Sequence, residues 1–77
     1  MDRAEMQLAA RHVLGYHHLE DGWTPGSFTE GLIALWTRAD VDNRAKLALV
    51  YPEMSAVIGY FTAGDVEHVR RIARGEA

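Results

Sequence analysis

Four histidines, His12, His17, His18 and His68, are the side chains here best suited to chemistry. Imidazole titrates near neutrality and ligates first-row metals. Their spacing serves neither task. A metal needs ligands that converge, and adjacent residues such as His17 and His18 diverge by about 100° on a helix. No pair has the i, i+4 spacing of a helical zinc site. The chain has no Cys, which excludes disulfides and thiolate metal ligands. Paired carboxylates could do acid–base work. However, Glu20–Asp21 and Asp40/Asp42 fall at helix ends and turns, where capping accounts for them. Ser27 and Ser55 are the only serines, and Ser27 reads as a helix start. "GWTPGSF" (22–28) lacks the glycine spacing and the lysine of a phosphate loop. We therefore expect no catalytic residue, no metal ligand and no cofactor, and a protein that is not an enzyme.

Helices must position whatever else the chain does. Met6, Ala10, Val13, Leu14 and His17 recur at spacings of three and four, which predicts a first helix from about Arg3 to His18. Asp2 is its cap, and Glu5 can reach back in a capping box. Gly15 weakens its second half. Ser27 and Glu30 have capping-box spacing ahead of the stripe Phe28, Leu32, Leu35, Trp36 and Ala39. Thr24 before Pro25 is an alternative start. A third segment starts near Asp40. Its apolar phase runs through Leu47, Val50, Tyr51, Met54, Ile58 and Phe61 across Pro52, which makes it either one sharply kinked helix or two helices joined at Tyr51. Two helices, with Pro52 opening the second, fit best. The last helix runs from about Asp65 to Arg74. The expected fold is an all-α bundle counted as four short helices, broken or kinked at Pro52, in a single small domain over 1–77. Its expected core is Val13, Phe28, Leu32, Leu35, Trp36, Leu47, Val50, Met54, Ile58, Phe61, Val69 and Ile72.

Composition narrows the partners. Eight basic and eleven acidic residues give a net charge of −3, unlike a nucleic-acid binder. No apolar run approaches a membrane span, and the first residues lack the apolar core of a signal peptide. We expect a cytoplasmic protein that does not engage a membrane. The best alternative is a helix-turn-helix-like DNA-binding regulator that presents Asn43, Arg44 and Lys46 at the start of its third helix. Asp40 and Asp42 on the same turn oppose it, because they repel phosphate.

"TPGSF" (24–28), "RADVDNRAKLAL" (38–49) and "YPE" (51–53) resemble a group of small proteins of actinobacteria and their bacteriophages. The resemblance covers about half the chain, from Gly22 to Phe61, and that group has no established activity. It implies a phage or mobile-element setting and a small helical domain.

The expected function is thus a non-enzymatic protein–protein interaction module, an accessory protein of that setting. Its expected partner-binding residues are Trp23, Tyr51, Ala45 and Leu49. Trp23 either staples the start of the second helix or stands out as an anchor. The third helix is apolar nearly all round. It is therefore expected either at the centre of the fold or in a homodimer interface.

Overall fold

The computed structural model describes residues 1–77 and contains five helices and no strand. They are α1 (Arg3–Tyr16), α2 (Ser27–Arg38), α3 (Val41–Val50), α4 (Pro52–Thr62) and α5 (Val66–Ala73). The all-helical class is as expected, and the count of four is corrected to five. The break at Pro52 is complete. Tyr51 leaves the helical region (φ −126°, ψ 66°) and serves both as the end of α3 and as the cap of α4. Pro52 occupies the first turn of α4, where a missing amide loses no bond. The Cα radius of gyration, 11.3 Å, is close to the roughly 11.5 Å of a tightly folded chain of this length.

The centre is α1, which packs on α2, α4 and α5, and not α3. Small side chains on α1 allow this close packing. Ala9, Ala10, Val13 and Leu14 meet Val57 of α4 and Val69, Ile72 and Ala73 of α5 in one buried cluster, which Ile33, Trp36 and Met54 complete. Of the expected core, Val13, Trp36, Met54, Val69 and Ile72 are buried, and Leu32, Leu47, Ile58 and Phe61 pack half-buried against them. Phe28, Leu35 and Val50 are corrections. They are 70%, 52% and 68% exposed. On α2 the buried line is Ile33 and Trp36, and Phe28 and Leu35 lie roughly a third of a turn away from it.

The caps are partly those expected. Asp2 Oδ1 accepts from the Ala4 and Glu5 amides at 2.8 and 3.3 Å. Glu5 does not reach back, because the Asp2 amide donates instead to Glu53 Oε2 at 2.9 Å. Asp40 and Asp65 cap α3 and α5 through the Asn43 and His68 amides. At α2 the cap is Gly26, with no side-chain hydrogen bond, and Ser27 is already helical. The expected capping box from Ser27 to Glu30 does not form.

Three helices end in the same way. After α1, α4 and α5 a residue turns left-handed: His18 (φ 58°), Gly64 (φ 89°) and Gly75 (φ 77°). In each case the following amide bonds back to the helix, as Leu19 N does to Leu14 O at 2.9 Å. This is the Schellman closure, which normally uses glycine. Beyond it the chain recrosses α1 with Gly22 against Gly15. A Cβ on Gly22 would lie 2.6 Å from the Leu14 carbonyl carbon, and one on Gly15 would overlap the Trp23 carbonyl group. Gly15, expected only to weaken α1, is therefore where another strand of backbone passes.

Candidate interaction surface

α2 packs on α1 and α3 packs on α4, but α2 and α3 do not pack closely on each other. They are joined by Ala39 and Asp40 alone and so run back on one another, which leaves an open groove between them. At one end it meets a hollow of about 360 Å³ that α1 and the start of α4 also wall, among Leu8, Phe28, Leu32, Val50, Tyr51 and Met54, with Glu5, His12 and Glu53 also lining it. At the other end about 260 Å³ lies among Leu35, Ala39, Leu47, Arg38, Asn43 and Lys46. One end is thus acidic and the other basic, with apolar side chains at both.

The side chains at the two ends are available to a partner. Arg38, Arg44, Lys46 and Glu5 make no ion pair within the chain. Arg74, the residue that closes α5, differs, because it is bound to Asp21 (3.0 Å), Glu67 (3.3 Å) and Glu76 (3.0 Å). Those hydrogen bonds, to Glu76 first and then Glu67, raise its already high pKa further. Arg74 is thus a clamp that ties the end of α5 to the turn after α1.

Of the expected partner-binding residues, Tyr51 lines the groove and is half-buried. Ala45 and Leu49 lie exposed on α3 outside it, with Leu49 84% exposed. Both stand uncovered, so a central place for α3 is overturned. Asn43 and Lys46 line the groove's basic end, and Arg44 does not. Trp23 is 55% exposed. Its ring lies over Arg11 of α1, 5.0 Å from the guanidinium carbon, and its amide donates to Arg11 O at 2.9 Å. The residue ahead of the α2 cap is Pro25, which is buried. Trp23 is therefore held on α1 and does not staple α2. Leu8 borders both Trp23 and the acidic end of the groove, which makes their surfaces contiguous.

Sequence reasoning missed the groove because it placed Phe28, Leu35 and Val50 inside. The available signal was the width of the apolar arc on α2, too broad for one neighbour to cover. The histidines are dispersed. His12 lines the groove, and His68 meets Tyr60 edge-on at 4.6 Å. His17 stacks on Phe61 at 4.3 Å, and loss of water there, followed by the charge of His18, lowers its pKa below 6.5. No helix is long and apolar enough to cross a membrane. Compared with known protein families, curated proteins and solved structures, the chain matches none.

Proposed function

We propose that this chain is a non-enzymatic protein–protein interaction module that works through the groove between α2 and α3. The observation that carries this is the exposure of Phe28, Leu35 and Val50 at two hollows beside α2 and α3, where Phe28 and Val50 line one and Leu35 the other. Burying a side chain of this kind contributes about 1.5–3 kcal/mol, and here that contribution is left unused. Contiguous uncovered apolar surface on a small chain marks a binding face. An apolar groove with a polar rim also fits the way a partner helix is gripped. A role as a phage or mobile-element accessory protein in the host cytoplasm goes with this reading through the sequence resemblance. Affinity capture from the natural host tests it, with Phe28→Asp and Leu35→Asp as groove variants and Trp23→Ala as a neighbouring control. A specific partner should be lost with the groove variants. Recovery of no specific partner, or equal recovery with the groove variants, would sink the reading.

The alternative, a DNA-binding regulator, is favoured only by the unpaired cations Arg38, Arg44 and Lys46. Asp40 and Asp42 at the same helix start work against it. Binding to mixed-sequence DNA that weakens steeply with added salt would support it. No binding at low ionic strength would remove it.

A further inference from the structure

We propose that the occupant of the α2–α3 groove is the same groove of a second copy, docked antiparallel about a twofold axis. This rests on the interaction-module reading and names its partner. Three features of one chain make the surface complementary to itself. The first is charge. Glu5 and Glu53 line one end, and Arg38 and Lys46 line the other. Glu5, Arg38 and Lys46 have no ion pair within the chain. A twofold axis through the middle of the groove sets each acidic end against the partner's basic end, whereas parallel docking would set like against like.

The second feature is shape. Phe28 and Val50 stand out at the acidic end, 70% and 68% exposed. A depression of about 260 Å³ floored by Leu35 and Leu47 lies at the basic end. The same twofold axis places the ridge of one copy over the depression of the other, and it does so twice. The third is chain economy. A domain this small has a thin core, and a symmetric dimer extends it with no new sequence. The result is a four-helix layer of α2, α3 and their symmetry mates, with an apolar centre and ion pairs at the rim. Rim pairs set the orientation and are screened by salt, whereas the apolar centre is not.

Sedimentation velocity and light scattering over a concentration series test this. The proteins are the wild-type chain, Leu35→Asp, Lys46→Glu, Glu5→Lys and the double variant Lys46→Glu/Glu5→Lys, with circular dichroism confirming that each is folded. The wild-type chain should show a monomer–dimer equilibrium that Leu35→Asp abolishes. Each single charge reversal should weaken the dimer about tenfold, since it replaces attraction by repulsion at both symmetric rims. The double variant should return towards wild type, because it restores opposite charges across the axis. A wild-type chain that stays monomeric throughout, or a double variant no tighter than the singles, overturns the proposal. If the chain is monomeric but Leu35→Asp abolishes capture of a different protein, self-association falls and the interaction-module reading stands. If the chain is monomeric and capture is unaffected, both fall.

Discussion

Replacing Gly15 by Ala tests the backbone crossing between α1 and the turn that follows it. On helix propensity alone the change stabilises by up to about 1 kcal/mol. The crossing reverses the sign. A Cβ on Gly15 would overlap the Trp23 carbonyl group and sit 2.9 Å from the Trp23 amide nitrogen. These are backbone atoms, with no flexible side chain to swing aside, so residues 21–23 must lift off α1. Lifting them breaks the bond from the Trp23 amide to Arg11 O (2.9 Å) and that from the Arg11 guanidinium to Asp21 O (2.7 Å). The first is worth about 1 kcal/mol and the second, with a charged donor, about 2. After the propensity gain is subtracted, the net loss is about 2 kcal/mol, or a fall in Tm of about 10 °C. Thermal and urea unfolding followed by circular dichroism would measure it. Gly31→Ala is the matched control. It lies inside α2 with nothing near its added methyl and should gain about 0.8–1 kcal/mol. If Gly15→Ala proves as stable as wild type or more so, residues 21–23 do not cross α1 as described.

Other substitutions probe the same structure. His18→Gly should stabilise by about 1 kcal/mol in the same unfolding assays, because His18 holds a left-handed conformation that glycine adopts without strain. Ile33→Ala should cost about 2–5 kcal/mol, whereas Phe28→Ala, on the same helix, should stay within about 0.5 kcal/mol. Similar losses at both sites would mean that α2 is rotated from its described position. His17 has its pKa lowered by desolvation and by His18, so the folded chain binds its proton less readily than the unfolded chain. Its contribution is fully present above pH 6.5 and is lost as pH falls from there through its lower folded value. Tm should therefore drop over that window, and His17→Gln should flatten the drop.

Local signals in the sequence were dependable where one residue type has one job. Asp2, Asp40 and Asp65 cap as their positions imply, and Pro52 splits the third segment because it lacks an amide and restricts Tyr51. Rotation of a helix about its own axis was less legible. Phe28, Leu32, Ile33, Leu35 and Trp36 span an arc so wide that periodicity alone cannot say which part faces α1. Phe28 and Leu35 were placed inward beside Trp36, yet α1 presents alanines and admits Ile33 with Trp36. The groove was misread for the same reason, since its walls are the residues left over when that choice is made. One long-range event displaced Ser27 from the cap and decided between the two readings of Trp23. The turn is fixed on Arg11, far from α2 in sequence, and this decides where the chain enters the helix.

The thin attachment of α3 bears on how the molecule opens. Its ten residues include none that is buried, and an isolated helix of that length is marginal in water. Short links hold it at both ends, Ala39–Asp40 to α2 and the single non-helical residue Tyr51 to α4. The buried cluster of α1, α4 and α5 draws no member from it. Its amides should therefore exchange with solvent through a local opening that leaves the central cluster folded, well before the amides of α1. One wall of the groove is then less protected than the central cluster. If the groove is occupied as proposed, exchange along Val41–Val50 should slow as the partner is added.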